Sequence, residues 1–189
     1  MKADMKFAYA DPPYFGRAHE IYGKHHPNAR HWDKKETHVE LVEVLCNDYP
    51  DGWALSCNSK DLAWILPHCP EDARVASWCK TWHQIRPTST QWAWEPVIFR
   101  TIKKDPKRPM VRDFMISSMQ TGRIVPGAKP HSFNRWVLDL LIFNNEEDTL
   151  DDIFPGSGGM QLAINEPKLD IQIDEDLQQQ FEFVQGDNK

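Results

Sequence analysis

The sequence predicts an α/β domain on a mainly parallel sheet, with helices on both faces and an antiparallel strand at an edge. Two observations predict it. Short apolar runs rich in β-formers alternate with stretches whose apolar residues recur at helical spacing. Two of those runs end in loops of unusual composition, where strands of an open parallel sheet present ligand-binding loops. The 189 residues suit one domain over 1–189, with polar insertions at about 15–35 and 81–125 and no internal repeat.

The elements follow in order. "MKFAYA" reads as a short buried strand ending at Asp11. A polar stretch to Lys35 reads as a long loop. In "THVELVEVLCNDY", Val39, Val42 and Leu45 with Leu41 and Val44 form a helical stripe, with Thr37 as a candidate cap. "DGWALSCNS" is a turn and strand. "KDLAWILPHC" is a short helix halted near Pro67. "ARVASWCKTW" is a strand, and "QWAWEPVIFRTIKK" is a longer one expected to run antiparallel to its neighbour. From Lys104 to Pro126 the chain is basic with little periodicity. "SFNRWVLDLLIF" has the helical face Phe133, Trp136, Val137, Leu140 and Leu141. "DTLDDIFPGSGG" is a strand entering a glycine turn, "MQLAIN" a short helix and "KLDIQID" a strand. The tail reads as a fraying helix.

Composition excludes several classes. No apolar run approaches the ~20 residues of a membrane span, and the amino terminus lacks a signal-peptide core. Four cysteines without C-x-x-C spacing point to a reduced cytoplasm. The spacing of the histidines between His19 and His38 fits no familiar metal site, so no metal is expected. The net charge is −6, yet residues 17–35 carry a net +3 and residues 100–123 a net +5. Such segments read either as solvated loops or as a phosphate-contacting face. Trp53, Trp64, Trp78 and Trp136 are expected in the core. Trp82, Trp92 and Trp94 flank the second basic segment and could stack on bases.

Two loops carry the chemistry. In "DIFPGSGG", Gly156 and Gly158 would let the backbone approach a ligand. Alone, this G-x-G fits a plain strand-to-helix turn equally well. No G-K-[ST] follows, and Gln161 stands where a dinucleotide fingerprint needs its third glycine. "DPPY", Asp11 to Tyr14, is more specific. Pro12 and Pro13 fix the backbone and lack N–H groups, so the loop presents acceptors: the Asp11 carboxylate and peptide oxygens. Tyr14 adds a flat face. Acceptors beside an aromatic ring suit a planar group bearing an exocyclic –NH2. Two acceptors on its hydrogens would localise the nitrogen lone pair for attack on an electrophilic methyl.

These residues resemble a known family. "DPPY" is similar to the catalytic motif of the S-adenosylmethionine-dependent amino-methyltransferases of DNA. "DIFPGSGG" resembles their cofactor motif. "GAKPHSFNRWVLDLL" resembles the Lys-Pro segment that precedes that motif in the beta class, and "WEPVIF" resembles their Glu-Pro-Val strand. The order matches the beta class, and the pattern looks closest to the small DNA methylases of phages and prophages. It covers Phe7 to about Ile164. The resemblance implies a Rossmann-like methyltransferase fold, S-adenosylmethionine as cofactor, DNA as partner, and the cytoplasm of a bacterium or phage-infected host. It implies catalytic roles for Asp11, Pro12, Pro13 and Tyr14, with Asp11 and the Pro12 carbonyl accepting the amino hydrogens and Tyr14 stacking on a flipped base. Phe154, Gly156, Ser157 and Gly158 would line the cofactor, Asp152 would stand at its mouth, and Lys129 and Pro130 would border its methionine end. Adenine N6 is favoured because aspartate leads the motif. Arg17, Lys24 and Arg30 are the candidate DNA contacts of the first insertion.

One departure stands out. Only "MQLAINEPK" separates Gly159 from "LDIQID", and Pro167 cuts the helix short. Asp174 is the candidate ribose-binding acid, beside Glu175, although "DIQIDED" reads equally as a solvated acidic run. The sheet could end early, and a second copy in a homodimer could complete the cofactor site. Cytosine N4, RNA or a free nucleotide as acceptor, and a non-catalytic binding relative, remain open alternatives.

Overall fold

The structure, a computed structural model, describes residues 4–24, 27–81, 85, 87–119 and 128–166. Six strands form one sheet: β1 (Lys6–Ala10), β2 (Gly52–Ser56), β3 (Arg74–Lys80), β4 (Trp94–Thr101), β5 (Phe114–Ser117) and β6 (Thr149–Asp152). Their order is β5-β3-β4-β2-β1-β6. β1 pairs in parallel with β2 and β6, and β3 with β5, whereas β4 runs antiparallel to both β2 and β3. The sheet is therefore mainly parallel, as expected. The antiparallel strand, however, lies inside the sheet rather than at its edge. Hydropathy marks a strand but not its neighbours, which only long-range pairing selects.

Helices cover both faces. α2 (Lys35–Asp48) and α3 (Leu62–Ile65) lie on one side, α4 (His131–Leu140) and α5 (Gly159–Asn165) on the other. β1 serves both: Phe7 and Tyr9 enter the α4 core, Ala8 and Ala10 the α2 core, and all four are buried. That double burial is why the strand reads as a continuous apolar run. β2 opens on Gly52 because a Cβ there would lie 2.8 Å from both the Arg100 carbonyl oxygen and the Phe7 ring. On α4, the predicted face of Phe133, Trp136, Val137, Leu140 and Leu141 is buried throughout. Trp53, Trp78 and Trp136 are core residues, and Trp64 packs half-buried against the α2 core.

Other expectations are corrected. Residues 15–35 are not one long loop. They contain α1 (Ala18–Tyr22) and a 3-10 segment, Pro27–Asp33. The Asp33 carboxylate folds the segment back by accepting from the N–H groups of Ala18 (2.9 Å) and His19 (3.0 Å) at the start of α1. Thr37 does not cap α2. The helix begins two residues earlier, and the Thr37 hydroxyl donates to the His31 carbonyl at 2.9 Å. β5 lies within the basic stretch that showed no periodicity. The strand expected at "KLDIQID" and the tail helix lie outside the described residues. Among the described residues, no helix is long and apolar enough to cross a membrane.

Candidate active site

The strand order places the site. β1 has β2 on one side and β6 on the other, so the chain reverses its direction of growth at β1. The crevice beyond the carboxyl ends of β1 and β6 is a topological switch point. Tyr9 lies opposite Asp152, and the Ile153 N–H donates to the Tyr9 carbonyl at 2.9 Å. The two unusual loops therefore leave adjacent strands at the same edge. Because β4 is reversed, its first residues, Trp94 and Glu95, reach that edge too, beside the end of β3 at Lys80.

A cleft of about 470 Å³ opens over this edge. Asp11, Pro12, Tyr14, Lys80, Glu95 and Lys129 form its polar floor and walls. Trp92 and Trp94, 44% and 38% exposed, line it as well. Of the three predicted basic contacts, the structure brings only Arg17 to the cleft, where its guanidinium pairs with Glu20 (2.9 Å). Lys24 and Arg30 are exposed outside it, Arg30 against His19 at 3.3 Å.

The centre of the cleft is a charged cluster. Lys129 Nζ donates to both Asp11 oxygens, at 2.8 and 2.7 Å, and to the Tyr14 hydroxyl at 3.3 Å. The Tyr14 hydroxyl donates to Glu95 Oε2 at 2.9 Å, and Lys80 ion-pairs with the other Glu95 oxygen. Two acids and two ammonium groups thus balance. Burial pushes the Asp11 carboxyl up despite Lys129 beside it. Burial would also raise Glu95, but Lys129 and Lys80 together hold it below its ordinary value. Burial works against the Lys129 ammonium, yet Asp11 and Glu95 outweigh it and raise that group. Tyr14 is raised well above 10.0 by burial, then by Glu95 and Asp11, and stays a neutral donor.

Lys129 thus sits on the DPPY loop, at Asp11. Pro130 is buried at the start of α4, where its carbonyl accepts from the N–H groups of Phe133 and Asn134. Glu95 and Lys80 were missed as site residues. The available signal was a charge at the end of an otherwise apolar strand, in "WEPVIF" and "ARVASWCK".

The glycine loop lies on the other side of β1. Its residues do not line the cleft, which extends over β1, β2, β4 and β3. Asp11 therefore stands between the two regions. Gly156 (φ 45°) and Gly158 (φ 74°) are left-handed, a conformation costing other residues about 1–2 kcal/mol. No atom lies within 4 Å of a Cβ built on Gly158, so conformation rather than crowding demands glycine there. The Phe154 ring meets Trp32 edge-on at 4.9 Å, joining this loop to the folded-back 15–33 segment. Asp152 Oδ1 is buried without a hydrogen-bond partner. The Asp152 carboxyl is pushed up to about 6, chiefly by burial, with the Phe154 N–H pulling the other way and Asp11 adding to the rise. An orphaned acceptor beside left-handed glycines fits a ligand that brings a donor or a cation. Asp174 lies outside the described residues.

Asp152 gives a signed expectation. An acid that holds its proton more tightly when folded makes the native state bind more protons than the unfolded chain. Stability then falls as pH rises from about 4 to about 6. Asp152→Asn should flatten that decline in urea unfolding curves taken across the window. An undiminished decline in the variant would show that the carboxyl is not held protonated.

No family model and no curated protein sequence matches the chain. Solved structures do. The crystal structure of the M1.HpyAVI–SAM complex superposes with a TM-score of 0.54 at 15% identity, covering 85% of this chain and 78% of that one. A crystal structure of M1.HpyAVI gives 0.53 at 18% identity, covering 86% and 76%. At these identities the likeness is one of fold: the chain has a Rossmann-like methyltransferase fold with a mostly parallel mixed sheet.

Proposed function

We propose that this chain transfers a methyl group from S-adenosylmethionine to the exocyclic amino group of a DNA base, adenine N6, with the base flipped into the cleft. One observation carries the reading. The Asp11 carboxylate, followed by a proline pair and a tethered tyrosine, stands at the switch point between an open cleft and the glycine loop. An acceptor so placed can hold an amine on one side while a methyl donor approaches from the other.

Asp152, Phe154, Gly156, Ser157 and Gly158 would hold the donor, with Asp152 Oδ1 as the acceptor awaiting a partner. Once bound, S-adenosylmethionine supplies an electrophilic methyl on a sulfonium, transferred in one displacement. The protein's part is to prepare the nucleophile. Asp11 accepts one amino hydrogen and the Pro12 carbonyl the other, drawing the nitrogen lone pair out of the ring. Tyr14 covers the base. As the N–C bond forms, the nitrogen gains positive charge and releases a proton to the Asp11 carboxylate, which burial has made more basic. The exposed Trp92 and Trp94 would flank the entering strand, within the segments about 15–35 and 81–125 that we assign to DNA contact.

The adenine preference rests on the leading aspartate of the motif. Transfer of a tritiated methyl to dA·dT and dG·dC duplexes tests it, with calorimetry for S-adenosylmethionine alongside. Label in the dA·dT duplex alone is expected. Label in dG·dC alone would reassign the target to cytosine N4, and label only in RNA would change the substrate. Failure to bind S-adenosylmethionine, with and without DNA, would sink the enzyme reading in favour of a binding protein.

A further inference from the structure

Glu95 has no part in the mechanism above, yet three polar groups of the clamp meet at its carboxylate. Its Oε2 accepts from the Tyr14 hydroxyl at 2.9 Å, its Oε1 is ion-paired with Lys80, and the Lys129 ammonium stands 3.6 Å from Oε2. Lys80 and Lys129 are only 8% and 9% exposed, so neither ammonium is free in solvent.

Lys129 thus lies between two carboxylates, and unequally. It is at full hydrogen-bonding distance from both Asp11 oxygens and too far for a bond to Glu95. Any amine that bonds Asp11 would meet the Lys129 ammonium at the same carboxylate. A donor arriving at Asp11 must share oxygens that the Lys129 ammonium already contacts. A shift of under ~1 Å toward Glu95 would bring Lys129 to charge-assisted hydrogen-bond distance there and free an Asp11 oxygen. Lys80 holds Glu95 through its other oxygen.

We propose that Glu95 is a positioning residue for the clamp: it fixes the Tyr14 ring through its hydroxyl and takes up the Lys129 ammonium when a substrate amino group engages Asp11. The proposal rests on Asp11 being the amino acceptor, as argued above. Its electrostatics are explicit. Asp11 is faced by Lys129 from the segment before α4, Glu95 from β4, Tyr14 from its own loop, Tyr9 from β1, Tyr22 from α1 and Asp152 from the end of β6. The charge on Glu95 opposes ionisation of Asp11, and that on Lys129 favours it.

Two measurements on the full chain test this. The first is a 13C carboxyl NMR titration of Asp11, assigned with Asp11→Asn. In Glu95→Gln, Asp11 should titrate at lower pH, since a negative neighbour is gone and Lys129 has only Asp11 to pair with. No movement, or movement upward, overturns the assignment. The second compares binding of single-stranded oligodeoxyadenylate with an oligonucleotide of equal length built on purine deoxynucleoside, which lacks the amino group. Wild type should prefer the amine. Glu95→Gln should lose about tenfold of that preference, because Lys129 stays on Asp11; an unchanged preference overturns the proposal. Should Glu95→Gln fail to fold, Glu95→Asp serves in the binding assay. It keeps the charge but withdraws it from Tyr14 and Lys129 by one methylene, so a several-fold loss of preference is expected, and none would overturn the proposal. If wild type itself binds both oligonucleotides equally, the amino-acceptor reading fails and the hand-over of Lys129 to Glu95 fails with it, whereas a failure confined to Glu95→Gln overturns the Glu95 assignment alone.

Discussion

Asp11→Ala should lower single-turnover methyl transfer by about 10²–10⁴-fold, the range for removing a group that handles the reacting proton. Affinity for S-adenosylmethionine should stay nearly unchanged, because the glycine loop leaves a different strand and its left-handed turns do not depend on Asp11. Asp11→Asn refines the test. Its amide oxygen can still accept one amino hydrogen, but the charge that pairs with Lys129 is lost. That variant should fall between wild type and alanine. Labelled-methyl transfer followed by base analysis, with calorimetry for the donor, separates chemistry from binding. An alanine variant within tenfold of wild type would remove Asp11 from the reaction.

The parts of this site that were legible in the sequence are those written locally. β1 shows as an apolar run because both of its faces are buried, and the proline pair after it fixes the loop whatever the rest of the chain does. The α4 stripe and the glycine turn are visible for similar reasons. Other features were invisible because their cause is long-range. β5 is four residues at the sheet edge, with Phe114 42% and Ile116 64% exposed; pairing with β3 rather than its own pattern makes it a strand. α2 starts at Lys35 because good helix formers precede Thr37 and nothing stops them. The charged cluster is the clearest case. Glu95 joins residues 11, 80 and 129 because β4 is reversed inside the sheet. Read locally, Lys129 was expected to border the methionine end of the cofactor, and Glu95 stood only within the Glu-Pro-Val strand of "WEPVIF".

The largest effect on stability should come from the same lysine. Lys129→Met leaves a hydrocarbon chain where an ammonium served Asp11 and approached Glu95. Glu95 keeps Lys80, but Asp11 loses the one cation within ion-pairing distance among the described residues. Removing one partner of a buried ion pair costs about 3–5 kcal/mol, because the other charge stays desolvated and uncompensated. The loss should depend on pH with a definite sign. Burial already raises the Asp11 carboxyl, and without Lys129 it must rise further. The native variant then binds more protons than its unfolded chain, so its stability falls as pH rises through that carboxyl's titration. Urea unfolding near neutral pH should show the full deficit, and curves taken near about pH 4 should converge on wild type. A double variant provides the internal control. Asp11→Asn combined with Lys129→Met removes the stranded charge and should recover part of the loss, giving a coupling energy between two residues 118 positions apart. Equal deficits in the single lysine variant and the double variant would mean that Lys129 stabilises the fold by packing alone. The acceptor clamp would then owe its ionisation to something other than this pair.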